Sequence, residues 1–188
     1  MATPTPSEPR IHPIDRAAAS DEQAAVLDAM GGMADLHLFR TLAHNPGLLK
    51  AWLRFGGHLL QRSGLPERDR ERVILRVAGR CGSEYEWGQH VGIARAAGLS
   101  DDEIRNLDPS VEHDEGWSTW DTTLVRAADE LLDEHCLSDA TWSAAGERYD
   151  DAQLLELTML VGHYAMLAGM LRSAGVQTES PLPAIGEV

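Results

Sequence analysis

Two cysteines and sixteen basic side chains are all this 188-residue chain has of either, and its aromatics are five Trp, three Tyr and two Phe. Each shortage excludes something. Cys81 and Cys136 lie far apart and fit neither a CxxC pair nor a zinc-ligand spacing, which removes disulfide scaffolds and Cys-based metal modules. Both are expected reduced and buried, as small apolar residues of a cytoplasmic protein. Sixteen Lys and Arg against thirty Asp and Glu leave a formal net charge of -14. That balance argues against broad binding to nucleic acid or an anionic membrane. A small anionic compound remains admissible, because a local arginine can oppose the overall field.

Met1–Pro9 has no basic segment followed by an apolar one, so no secretory signal is read there. No uninterrupted apolar run is judged long enough to span a bilayer, and the chain is expected to be soluble and cytoplasmic. No strand-like alternation and no internal repeat stands out. The fold class read from the pattern is all-α, a single domain of about seven or eight helices.

Residues 1–19 read as a mostly disordered or extended N-terminal arm, with Pro4, Pro6 and Pro9 among small polar residues. A helical domain is expected over 20–175. Ser20 or Asp21 caps a first helix that Gly31–Gly32 stop. A second runs from about Asp35 to Ala43, and Pro46 opens a third over 46–62. Glu67 to Arg80 follows, then a helix that Ser83 caps and Gly98 ends, then a short one opened by Ser100. A polar loop is expected over 108–118, and further helices at about 119–136, 138–148 and 151–174. The last is apolar almost all round, so it is expected to be central or at a subunit interface. Residues 176–188 read as an extended or disordered tail.

Chemistry concentrates in Ser83–Glu84–Tyr85–Glu86–Trp87–Gly88–Gln89–His90. In a helix, Glu86 and His90 are four apart and share a face. The plain alternative is that Glu86 is the acid of a capping box with Ser83, and His90 a satisfied core histidine. Glu71 lies 19 positions before His90, and a hairpin about Gly82 brings the two near each other. A carboxylate against an imidazole fixes its tautomer, as in an acid–base pair. Arg72, Arg76 and Arg80 form a stripe, read as an exposed salt-bridged face, with Arg80 the one that can reach a substrate carboxylate. Tyr85 and Trp87 are packing residues or substrate platforms. His163 and Tyr164 interrupt the last helix and must find partners in the core or line the same pocket. Glu71, Glu86 and His90 could supply three metal ligands, but no HExxH or Glu-x-x-His pair accompanies them, and no metal is assigned.

The run Arg70–Arg76, the following Arg80–His90 segment and the Ala94–Ile104 stretch ARAAGLSDDEI together resemble the carboxymuconolactone decarboxylase family, which includes the alkyl hydroperoxidase D-like proteins. Asn45–Leu49 and Gly162–Tyr164 extend the likeness over roughly 35–175. The resemblance implies an all-α helical-hairpin fold assembled as a homo-oligomer (dimer, trimer or hexamer). In the peroxidase branch a Glu, a CxxC and a His form the relay. By that register Glu71 and His90 match the relay acid and base, while Ser83 and Glu86 stand where the two thiols would be. Thiol–disulfide peroxidase chemistry is therefore not expected. The decarboxylase-like branch implies a cofactor-free reaction on a small carboxylated or lactone compound. His90 would move a proton, Glu71 or Glu86 would orient it, and an arginine (Arg80) would hold a carboxylate. Tyr85, Trp87, His163 and Tyr164 are the further substrate-binding candidates. The alternatives are a non-catalytic helical oligomeric binding protein and a hydroperoxidase-related protein lacking the dithiol.

Overall fold

The structure is a computed structural model that describes residues 4–111 and 117–188. Among them there are nine α-helices and no strand, so the chain is all-α as expected. Part of the polar loop expected over 108–118 lies outside the described residues. The chain divides into two compact units, residues 1–62 with 170–181 and residues 63–169 with 182–188.

The first unit holds α1 (Asp21–Asp28), α2 (His37–Leu42) and α3 (Pro46–Gln61). Ser20 caps α1 through a full capping box with Gln23. Gly31, at φ +57°, leads into a 3-10 turn over Gly31–Asp35, and α2 starts only at His37. The helix expected from Asp35 is thus shorter, because an extended Leu36 separates the 3-10 turn from it. The Asn45 side chain accepts a hydrogen bond from Leu48 N at 3.0 Å, and Pro46 takes the first turn of α3, where a missing N–H costs nothing. The N-terminal arm is tied down rather than loose. Arg10 N and Ile11 N both donate to the Ala174 carbonyl at 2.8 and 3.2 Å.

The second unit holds α4 (Glu67–Cys81), α5 (Glu84–Ala96), α6 (Asp101–Arg105), α7 (Thr119–Asp133), α8 (Asp139–Gly146) and most of α9 (Asp151–Ala174). A tight hairpin joins α4 to α5. Gly82 takes the left-handed conformation at φ +63°, and Ser83 N donates back to the Ala78 carbonyl at 2.8 Å. Trp87, fully buried, anchors an apolar cluster with Leu75, Ala78, Val91, Ala94, Leu99, Ile104, Leu107 and Val125. Large side chains of this kind contribute about 1.5–3 kcal/mol each on burial. The C-terminal tail is extended and packed. A Cβ on Gly88 would meet Leu182 Cβ at 2.7 Å, so only glycine admits the tail there. Ile185 N donates to Glu84 Oε2 at 2.9 Å.

The arginine stripe of α4 is salt-bridged but not exposed. Arg72 reaches Glu103 and Asp121 at 2.8 and 2.7 Å and is almost wholly buried. Arg76 pairs with Asp129 at 2.8 Å. Arg80 pairs with both Asp129 and Asp133 at 2.7 Å. The stripe rivets α4 to α7, whose acidic residues recur on the facing side. Buried Asp69, which no pattern in the sequence singles out, joins this side by accepting from Trp120 Nε1 at 3.0 Å and from the Tyr149 hydroxyl at 2.9 Å.

No uninterrupted apolar run of that length occurs in α9, yet the helix is long and apolar enough to cross a bilayer by length and composition, with half of that window buried inside the protein. Leu154, Leu157, Leu160, Val161, Tyr164 and Leu167 face the core. Leu155, Met159 and Met166 are more than half exposed on the other side.

Candidate active site

Glu71 sits in the second turn of α4 with no exposed surface. Its neighbours decide its job. Oε1 accepts from Arg70 Nε at 3.1 Å, and Oε2 lies 2.7 Å from His90 Nδ1. A carboxylate has no proton to give, so Nδ1–H is the donor and the other ring nitrogen, Nε2, is left for chemistry. The expected pairing of Glu71 with His90 across the hairpin is present. It follows from the Gly82 turn, which folds α5 antiparallel onto α4.

Glu86 lies one helical turn before His90 and is buried. Neither of its oxygens meets a hydrogen-bonding partner among the described residues. Burial pushes its carboxyl up to about 8, countered only in part by the nearby Ser83 hydroxyl. At neutral pH it is therefore a protonated acid. The capping-box role expected for Glu86 is not taken up: Ser83 makes no side-chain cap bond, and its backbone N–H is already given to Ala78.

Tyr164 of α9 closes the group edge-on to His90, with ring centroids 5.2 Å apart. Its hydroxyl is held well above its ordinary range by burial first, then by Glu71 and Glu86, with Arg70 opposing. His163 stacks edge-on to Tyr164 at 5.3 Å, and burial pushes it down to about 4. Of the residues singled out by sequence, Glu71, Glu86, His90, His163 and Tyr164 are thus brought together.

Three are not. Trp87 is a fully buried member of the apolar cluster and offers no platform to a substrate. Tyr85 is buried on α5, five residues before His90 and so ~140° around the helix from it. Arg80 is nine residues beyond Glu71 along α4, a rise of ~13 Å, and its guanidinium is committed to Asp129 and Asp133. The arginine at the site is Arg70, whose signal was adjacency to Glu71 on a charged helix start. Among the described residues, no group of three or more His, Cys, Asp or Glu is placed to hold a metal ion. Neither cysteine is in a disulfide among the described residues; Cys81 is half-buried and Cys136 exposed, both short of the expected burial.

Residues 46–130 match the model of the carboxymuconolactone decarboxylase family, a span that contains Glu71, Glu86 and His90. The chain is similar in structure to an uncharacterised peroxidase-related protein with an alkylhydroperoxidase AhpD core from Ralstonia eutropha JMP134. That match has a TM-score of 0.76 at 17% identity and covers 95% of this chain and 97% of the other. An uncharacterised peroxidase-related protein from Silicibacter sp. TM1040 gives a TM-score of 0.73 at 14% identity, covering 93% and 95%. A protein of unknown function from Agrobacterium tumefaciens, described as a putative antioxidant defence protein AhpD, gives 0.65 at 18%, covering 74% and 96%. No curated protein matches the chain. The chain shares its helical fold with all three structures, two of which are described by the name AhpD.

Proposed function

From a carboxymuconolactone decarboxylase segment over residues 46–130 on an AhpD-like fold, we propose an enzyme of cofactor-free proton transfer acting on a small carboxylated or lactone compound. One observation carries this reading: a buried, unpartnered Glu86 stands one turn from a His90 whose Nδ1 is fixed by Glu71. The two groups are complementary. Nε2 of His90 is the base, and protonated Glu86 is the acid at neutral pH. In a decarboxylation, the carbon–carboxylate bond breaks, its electron pair moves into a conjugated carbonyl, and Glu86 returns a proton to carbon. In an isomerisation, His90 removes a proton at one carbon and Glu86 delivers one at another. Hydrolysis uses the same pair to activate water and protonate the leaving oxygen. The free thiols fit a reducing, cytoplasmic setting.

The test is turnover of γ-carboxymuconolactone and a panel of small lactone carboxylates, followed by CO2 release and ultraviolet absorbance. His90→Ala and Glu86→Gln should each lower kcat by ~10²–10⁴-fold. Full activity in both variants would sink the reading.

The homo-oligomer implied by the resemblance is supported by the exposed apolar face of α9, where Leu155, Met159 and Met166 are 63%, 51% and 57% accessible. Light scattering of Met159→Glu tests it, with dissociation expected and an unchanged mass counting against that face.

A further inference from the structure

All five arginines on α4 are drawn into its packing or its site, and four have their guanidinium tips occupied. Arg68 donates to Glu103 and to the Gly98 carbonyl. Arg72 spends both terminal nitrogens on Glu103 and Asp121. Arg76 donates to both oxygens of Asp129 and to the Leu107 carbonyl at 3.2 Å. Arg80 is shared between Asp129 and Asp133. Arg70 differs. Its side chain is only 8% exposed, it donates through Nε to Glu71, and its two terminal nitrogens make no hydrogen bond to any described residue. The stem of Arg70 is enclosed, but its terminal nitrogens, unlike the Glu86 oxygens, are not sealed from solvent and stay open to a ligand. Such a planar pair of terminal nitrogens matches a carboxylate bidentately.

The position is also specific. Glu71 bridges Arg70 to His90 through its two oxygens, so the guanidinium and imidazole are held on opposite sides of one carboxylate. The charge of Arg70 is felt at the Tyr164 hydroxyl, as are those of Glu71 and Glu86. An anion on the free tip of Arg70 would therefore lie across Glu71 from His90, coupled to the imidazole through that carboxylate.

We propose that Arg70 is the carboxylate anchor of this site, accepting a small planar monocarboxylate on its terminal nitrogens. The proposal rests on the proton-transfer reading only for the location of the chemistry. Binding, not turnover, decides it, so the two stand or fall separately.

The experiment titrates the full-length protein with crotonate and with crotonamide, its uncharged counterpart, following the His90 ring signals by NMR. Crotonate is expected to shift them and crotonamide to bind ~10-fold more weakly or not at all. Arg70→Gln should lose that preference, while Arg70→Lys, which keeps the charge without the fork, should retain part of it. Arg80→Gln should bind as wild type does. Equal binding of acid and amide by wild-type protein, no crotonate response, or an undiminished preference in Arg70→Gln would each overturn the assignment. Should Arg70→Gln not fold, the wild-type acid-to-amide ratio and the Arg70→Lys variant still decide it.

Discussion

Ser83–Glu86 and Ser100–Glu103 carry the same spacing, a serine followed three residues later by glutamate at a helix start, and they do opposite things. At α6 the box closes: Glu103 N donates to Ser100 Oγ at 3.2 Å, and Ser100 N donates to Glu103 Oε2 at 3.0 Å. Glu103 also receives Arg68 and Arg72. Burial pulls its carboxyl up, but these donors outweigh it and hold the group below its ordinary range. At α5 the serine N–H is already spent on Ala78, closing the end of α4. A capping box needs that donor. Glu86 is left inside without one, and burial carries it to about 8. A helix packed two residues after its predecessor cannot be capped like one entered from a free loop. Here that conflict leaves an acid protonated at neutral pH.

The widest gap between the two glutamates should appear in stability against pH. Glu86 has a folded value near 8 against an ordinary 4.5. Below pH 4.5 both folded and unfolded chains hold the proton, and the group makes no difference. Between 4.5 and 8 the unfolded chain releases it and the folded one keeps it, so stability falls as pH rises. Above 8 the loss is complete, about 4–5 kcal/mol at 1.36 kcal/mol per unit. Glu86→Gln cannot titrate. Urea unfolding at pH 5 and pH 9 should show the variant gaining that amount relative to wild type across the window. Parallel profiles for the two proteins would place Glu86 in a wetter setting than its burial implies. Glu103→Gln should show no such gain.

Glu71 asks whether partners or burial make the difference. It is as enclosed as Glu86, yet both of its oxygens are engaged. Glu71→Gln leaves Arg70 as a buried charge without its counterion, which costs about 3 kcal/mol. The same substitution at Glu103 leaves Arg72 its second counterion, Asp121, and should cost about 1 kcal/mol or less. Chemical denaturation of the two variants at pH 7 makes the comparison, and equal losses would mean that the Arg70 pair is solvated.

These contrasts mark what sequence could reach. The hairpin, the Glu71–His90 pairing and the Ser100 box were legible because a glycine stop, a helical period and a cap are local signals. Capping by Ser83 misled for a non-local reason, since the competing acceptor belongs to the previous helix. Arg80 looked free because a stripe at four-residue spacing gives a direction but not its partners, and Asp129 and Asp133 lie about fifty residues on. Arg70 does not stand out in the sequence because its neighbours are charged, the usual mark of a solvated helix start. Trp87 looked like a platform because an aromatic beside ionisable residues does not announce which side of the helix it takes.

The smallest expected effects lie in the serines themselves. Ser100→Ala removes a cap bond and the reciprocal bond it organises, at a cost of about 1 kcal/mol. Ser83→Ala removes a buried hydroxyl that makes no cap bond. Its loss should leave stability at pH 5 within about 0.5 kcal/mol, because nothing is unpaired by it. The hydroxyl is nonetheless the one group that counters the burial of Glu86. Its removal should therefore move the Glu86 titration upward, seen by carboxyl NMR, while Ser100→Ala leaves it unmoved. A stability loss at Ser83 matching that at Ser100 would mean both serines cap their helices, and the contrast between the two glutamates would then need another cause.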